Sequence, residues 1–296
     1  MRAGLLYVCG AAVLWGTGGL AMQLIGRHSA LGTTAVSTWR MGIAAVVVLA
    51  AVTVRQAWRE LATTIRRYPV RSVLVGIGVG GYQALYFGAV VAVGVSAATV
   101  ISLGVAPVLL TTFEHARRAT RPTGIETAIL GAALIGLALV SGGGTDGDRP
   151  TLGIVLALLS GTAYAVTTLI GHAMSATESA LGVTACTTVF GTLFLLPIAV
   201  LAGGPFTTAD GRAIALLGYL GVMTLALAYG LLYAGLRTVR ASTATIASLL
   251  EPVTAAVAAA VVLDERIGPL GIAGTLAILA AVAGLTRRSP APTPNS

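Results

Sequence analysis

The chain has 296 residues, of which 56% are apolar and only 9% are charged, whereas charged residues make up about 25% of an average soluble protein. This composition excludes an ordinary soluble globular protein of this size. The formal net charge of +8 does not indicate a nucleic-acid partner, because the basic residues lie in small clusters between long apolar runs.

Ten apolar runs are long enough to cross a membrane as helices, since about 20 apolar residues span the hydrocarbon layer. In chain order they cover residues 4–25, 33–54, 72–93, 96–113, 124–141, 152–173, 180–202, 213–235, 242–263 and 268–286. The connections are short, so we predict an all-α membrane protein. The third and fourth apolar runs nearly touch at Gly94. If they formed one helix, the chain would have nine spans instead of ten. The proline-rich tail 289–296 is predicted to be disordered.

Arginine residues are concentrated in every second connection, above all in 55–71 and 117–121. Positively charged short loops face the cytoplasm. We therefore predict a multi-pass protein of the cytoplasmic (inner) membrane, in contact with lipid, with both termini in the cytoplasm. Removing the break at Gly94 would put the arginine clusters on alternating sides, so their distribution also supports that break.

The two halves of the chain resemble each other. The pattern Tyr-x-x-Leu-Tyr-x-Gly occurs at 82–88 and again at 229–235, and in each half a proline follows further along, Pro107 and Pro252. The offset of about 145 to 150 residues makes the repeat one half of the chain. We predict repeats at 1–145 and 146–288, and because each contains an odd number of spans, the second is inverted relative to the first.

Inverted repeats are typical of secondary transporters, with the substrate site near the midplane and alternating access to the two sides. The alternatives are a channel, or an old duplication kept only for packing. The chain has no Walker sequence, so uphill transport would need an ion gradient or exchange.

The chain resembles the EamA-type branch of the drug/metabolite transporter superfamily along nearly its whole length. The elements that carry the resemblance are the duplicated tyrosine pattern, Trp15-Gly16, Arg40, Leu250-Glu251-Pro252-Val253 and Leu263-Asp264-Glu265-Arg266. The resemblance implies a ten-helix carrier that moves amino acids or other small metabolites, often outward. The first half departs from the pattern, with Ala106-Pro107 in place of a Glu-Pro pair and Glu114-His115 in place of Gly-Glu-Arg. This suggests that the functional acid belongs to the second half.

Glu251 is the leading candidate site residue. An unpaired carboxylate at this depth is costly, so it must be protonated or face protein or water. It can take up a proton or contact a cationic substrate group, or it can be a structural acid between helices beside the kink at Pro252. Arg40, about two turns into the second span, can bind a substrate carboxylate, extend toward the outer surface, or form a structural or gating ion pair with Glu251.

Five aromatic residues and one amide are further candidates for lining a central cavity: Trp15, Tyr82, Gln83, Tyr86, Tyr229 and Tyr233. Each tyrosine pair has a spacing of four, so its members share a helix face. Such walls suit amphipathic, aromatic or cationic substrates. Ordinary interhelical packing is the alternative for each of them.

The sequence thus predicts a secondary transporter of small organic solutes, most simply an exporter of amino acids or related metabolites, coupled to protons or to substrate exchange. A drug or quaternary-amine efflux carrier becomes preferable if the cavity is strongly aromatic and net acidic.

An intramembrane enzyme or lipid-handling scaffold is the alternative of another class, but no convergent nucleophile and base are present, so we predict no enzyme. No metal pattern or cofactor motif is found. The protein is expected to be a monomer or homodimer.

Overall fold

A computed structural model describes residues 2–142, 148–263 and 268–287, and all regular secondary structure within these ranges is helical. The first half contains six helices: α1 Arg2–His28, α2 Thr33–Val54, α3 Trp58–Arg67, α4 Pro69–Val93, α5 Val95–Arg117 and α6 Gly124–Ser141. The second half contains seven α-helices and a π-helical segment: α7 Pro150–Ser175, α8 Ala180–Ala202, α9 Gly211–Tyr219, the π segment Leu220–Leu227, α10 Ala228–Leu236, α11 Ala241–Ser248, α12 Leu250–Leu263 and α13 Pro269–Arg287.

Within the described ranges, nine helical stretches are long and apolar enough to cross a membrane, and Pro269–Leu285 is a shorter apolar helix. The prediction of an all-α membrane protein is confirmed, whereas the count of ten spans stays a prediction. The disputed boundary is real, because α4 ends at Val93 and α5 begins at Val95. Gly94 between them has a φ of 90°, a value that glycine adopts without a steric penalty. Asp264, Glu265, Arg266 and the tail 289–296 lie outside the described residues.

The arginine-rich connection 55–71 contains a helix that the sequence analysis did not predict. On α3, Leu61 and Thr64 are buried against the bundle, whereas Arg59 and Arg66 are exposed. The Thr64 hydroxyl donates a hydrogen bond to Glu178 at 2.6 Å. This amphipathic helix escaped the search for spans because its apolar face is short and narrow.

Both irregular spans lie in the second half. The eighth span passes from α9 through the π segment into α10, and the ninth is divided at Leu249 into α11 and α12. Pro252 contributes to the division, since its nitrogen cannot donate a hydrogen bond to the Ser248 carbonyl. Its counterpart Pro107 lies inside a continuous α5.

The most extensive helix contacts join the two halves. Helix α4 packs on α7 and α8, and the span from α9 to α10 packs correspondingly on α1 and α2. Helix α5 contacts α7, α12 contacts α1, and α6 packs along α13. Each half therefore completes the core of the other.

Asp210 begins the irregular eighth span. Its carboxylate accepts hydrogen bonds from the backbone N–H groups of Ala213 and Arg212 at 2.8 and 2.9 Å. These bonds, that of Ala213 foremost, hold the pKa of the half-buried Asp210 carboxyl below its usual value. The acid is thus a local cap for α9.

Candidate functional site

A cavity of about 630 Å³ lies between the two halves and is lined by residues of α1, α2, α4, α5, α6, α7 and α12. Its inner end is at Glu251 and Tyr164, about halfway along their spans. From there it extends to the helix ends on the side of the Gly94 turn, where Gln23 and Val95 are exposed. Its lining residues lie between the middle of the spans and the Gly94 side, so the cavity opens on one side of the bundle.

Glu251 lies in the first turn of α12 and lines this cavity. The side chain is half-buried and makes no hydrogen bond or ion pair with the described residues. Its position near a helix N-terminus places the carboxylate in the favourable field of the helix dipole. The division of the ninth span thus creates a helix end at the site, as in transporters whose discontinuous helices bind ions at the midplane.

Gly16 sets the position of Glu251 relative to α1. A Cβ atom added to Gly16 would lie 2.5 Å from the Glu251 carbonyl oxygen and 2.5 Å from the Thr254 Cβ. Only glycine allows this close approach of the two helices. The Trp15-Gly16 pair therefore has a structural explanation: Trp15 faces the cavity and Gly16 admits the helix that carries the acid.

Aromatic side chains form much of the wall. Trp15, Tyr82, Tyr86 and Tyr164 all line the cavity. The rings of Tyr82 and Tyr164 have centroids 5.4 Å apart, and the Tyr86 hydroxyl lies 2.8 Å from the Thr99 hydroxyl. These contacts hold the aromatic side chains in the cavity wall, and aromatic rings can attract cations.

The other predicted aromatic residues lie behind this wall. Tyr229 is buried, packs its ring on Trp15 at 5.3 Å, and has its hydroxyl 3.3 Å from that of Tyr82. Tyr233 is also buried, with its hydroxyl 2.7 Å from that of Thr187. The two tyrosine pairs therefore differ, since Tyr82 and Tyr86 line the cavity and their second-half counterparts support it.

Gln83 and Arg40 also lie outside the cavity lining. Gln83 is buried and donates a hydrogen bond to the Val79 carbonyl of its own helix at 3.2 Å, and its side-chain oxygen has no partner. Arg40 is half-buried with an unpartnered Nε. No ion pair within 4.0 Å joins it to Glu251, although its charge acts on that carboxylate at longer range.

Eight polar lining residues were not anticipated from the sequence: Gln23, Thr33, Ser96, Thr99, Ser102, Ser141, Ser160 and Tyr164. Ser160 donates a hydrogen bond to the Tyr82 carbonyl at 2.9 Å, and Ser102 donates to the Ala157 carbonyl at 3.2 Å. Tyr164 had a usable signal, because it is an aromatic residue within a span and shares a helix face with Ser160.

Among the described residues that line the cavity, Glu251 is the only charged side chain, since neither arginine nor histidine nor a second acid is among them. The described residues contain no cluster of three or more metal-ligating side chains. Chemically, the site can surround an apolar or aromatic body and offer one carboxylate to a positively charged group.

Comparison with known proteins gives three matches. The model of the EamA-like transporter family matches residues 2–142 and again residues 151–287. A protein of Bacillus subtilis (strain 168), named uncharacterized transporter YwfM, is 32% identical over 284 residues, which cover 93% of each chain. A solved crystal structure aligns with a TM-score of 0.80 at 18% identity, covering 98% of this chain and 100% of the other, and supports the fold alone.

Proposed function

Because the chain belongs to the EamA-like transporter family, it is a membrane transporter, and we propose that it carries small amphipathic organic cations by alternating access. The observation that carries this proposal is the described part of the cavity lining, which combines Trp15, Tyr82, Tyr86 and Tyr164 with one carboxylate, that of Glu251. Ring faces and a carboxylate both attract cations. The lining therefore favours an amine or quaternary-amine carrier over an amino-acid exporter.

The argument against amino acids concerns their carboxylate. Glu251 offers a partner to an ammonium group, but Arg40, the proposed partner for a carboxylate, does not line the cavity. A bound zwitterion would then leave its carboxylate unpaired in a largely apolar space, which costs several kcal/mol.

Alternating access is supported by the reciprocal packing of the halves and by the cavity opening on one side only. With the Gly94 side outside, as the arginine distribution predicts, the conformation is that of an outward-open carrier. Export, which the family resemblance implies, is the proposed direction. Since Glu251 is unpaired, exchange of a proton or of a second cation for the substrate at this carboxylate is the proposed coupling.

Three ligands with the same ring test the substrate class: phenethylamine, phenylalanine and 3-phenylpropionate. Binding to the purified protein, measured by calorimetry, should be strongest for phenethylamine, weaker for phenylalanine and undetectable for 3-phenylpropionate. Flux into proteoliposomes should follow the same order. Equal or stronger binding of phenylalanine would contradict the cation proposal and restore the amino-acid exporter.

A further inference from the structure

A second cavity, of about 380 Å³, lies on the opposite side of the bundle from the first. It is lined by the beginning of α1, the end of α5, the beginnings of α6 and α11, and the end of α13. Helix α5 lines the first cavity with Leu103 and the second with Thr111. At a rise of about 1.5 Å per residue, the two cavities are only about 12 Å apart along this helix.

An apolar layer separates them. Leu103, Leu249 and Ile246 belong to one hydrophobic cluster with Ala12 of α1. Leu103 lines the first cavity and Ile246 lines the second. The residues of this one hydrophobic cluster therefore reach from one cavity to the other. Helices α1, α5 and the α11–α12 span border both cavities and this layer.

The second cavity contains a direct bond between the halves. Glu114, near the end of α5, accepts hydrogen bonds from the backbone N–H of Ser242 at 3.0 Å and from its hydroxyl at 2.7 Å. Ser242 lies in the first turn of α11, whose own N-cap residue, Arg240, makes no side-chain capping bond. A residue of the first half therefore caps a helix of the second, and such charge-assisted bonds are stronger than neutral ones.

Among the described residues, the opposite side of the bundle has no counterpart of this bond. With the offset of 146 that relates Ala98 to Ala244, Ser242 corresponds to Ser96 and Glu114 to Ala260. Ser96 lines the mouth of the first cavity. An alanine side chain cannot accept a hydrogen bond, so position 260 provides no carboxylate to cap the beginning of α5 as Glu114 caps α11.

We propose that the second cavity is the inner vestibule of the translocation pathway and that the Glu114–Ser242 contact is the gate that keeps it separate from the substrate cavity. Breaking the contact allows α5 and α11 to part, so that a substrate can pass the Leu103–Leu249–Ile246 layer. Because the contact is present on the inner side and has no counterpart among the described residues of the outer side, the empty carrier rests in the outward-open conformation. This inference rests on the proposed alternating access but not on the substrate class.

Cysteine labelling of the purified protein tests the gate without any substrate. Cys9 is replaced with Ala, and Ile246→Cys reports the inner side while Ser96→Cys, in a separate variant, reports the outer side. Native Cys186, which is buried in α8, reports unfolding. With Glu114→Ala, the labelling rate at position 246 should rise about tenfold, the factor expected when a charged hydrogen bond is lost. The rate at position 96 should stay equal or fall, and the rate at Cys186 should not change.

Two further variants and a control complete the test. Glu114→Gln and Ser242→Ala each weaken the contact without removing it, so smaller increases at position 246 are expected. Asp210→Asn is the matched control, because Asp210 also caps a helix with two hydrogen bonds but does so within its own half. Unchanged labelling at position 246 in all three gate variants would overturn the proposal. So would a parallel rise at Cys186, which would indicate local unfolding.

Discussion

The fourth and ninth spans occupy corresponding places in the two halves but differ in the backbone. Helix α5 runs unbroken through Ala106 and Pro107, whereas the ninth span is divided at Leu249, just before Glu251 and Pro252. The third and eighth spans differ in the same sense, since α4 is regular and its counterpart contains the π segment. Both irregular spans therefore lie in the second half.

This difference shows that similar sequences in the two halves form a continuous helix in one and a divided helix in the other. A proline alone does not divide the helix, because Pro107 is accommodated in α5. In the second half, the division provides a new helix N-terminus at the depth where a carboxylate needs stabilisation. The first half supplies most of the aromatic wall, and the second supplies the charge. Four pairs of substitutions test whether the two halves differ in this way.

The largest effect is expected from moving the acid to the first half. Ala106 is fully buried and packs near Tyr164 and Leu110, so Ala106→Glu would bury a carboxylate without a partner. We expect a loss of several kcal/mol in the free energy of unfolding, measured by thermal unfolding in detergent. Glu251→Ala should lower it far less. If Ala106→Glu folds normally and restores binding to a Glu251→Ala protein, the two spans are equivalent and the comparison fails.

Removal of the charge at Glu251 should weaken phenethylamine binding by about 100-fold, corresponding to about 2.7 kcal/mol for a desolvated charged contact. The variant is Glu251→Gln, which preserves the volume of the side chain, and the measurement is calorimetry at several pH values. Glu178→Gln, far from the cavity on the side of α3, serves as the control. Unchanged affinity and pH dependence in a folded Glu251→Gln protein would remove Glu251 from the site.

Two glycines permit equivalent helix approaches in the two halves. Gly16 of α1 faces the Glu251 carbonyl, and Gly161 of α7 faces the Ser102 carbonyl, each at 2.5 Å from an added Cβ. Alanine at either position should cost about 2 kcal/mol of stability through overpacking, measured as a fall in the melting temperature.

The two glycine variants should differ in binding. Gly16→Ala displaces the helix that carries the acid, so phenethylamine affinity should fall about fivefold for a shift worth about 1 kcal/mol. Gly161→Ala should leave the affinity nearly unchanged. An equal loss of affinity in both would indicate that the cavity depends equally on the two approaches.

The smallest effects are expected from the tyrosine hydroxyls. Tyr233→Phe removes a buried bond to Thr187 and should lower stability by about 1 kcal/mol without altering affinity. Tyr86→Phe removes the bond to Thr99 in the cavity wall and should change affinity no more than threefold, with little effect on stability. Stability is measured by thermal unfolding and affinity by calorimetry. If Tyr233→Phe changed the affinity and Tyr86→Phe only the stability, the second-half tyrosines would belong to the site.

Much of the fold could be predicted because membrane helices need long apolar runs. The break at Gly94 was detectable from the arginine distribution, and the acid at Glu251 from its cost in hydrocarbon. Helix α3 was missed because an amphipathic surface helix has no long apolar run. The π segment was missed because its sequence, Leu220–Leu227, is as apolar as a regular span.

The candidate site was predicted less completely. Helical spacing placed Tyr82 with Tyr86 and Tyr229 with Tyr233 on shared faces, but it gave no information on which face meets the cavity. Arg40 and Gln83 were singled out for their polarity, and both lie outside the lining. The contact between Glu114 and Ser242 joins residues 128 positions apart, beyond the range of any local pattern.

The membrane-spanning character, the helical fold and the duplicated order of elements could be predicted from the amino-acid sequence alone. Each follows from the length of the apolar runs or from repetition along the chain. Three features become visible only in the packed structure: which polar side chains share a cavity, on which side the cavity opens, and which residues of one half contact the other. These features depend on how helices rotate and pack against distant partners, and every helix face in an apolar sequence has a similar composition.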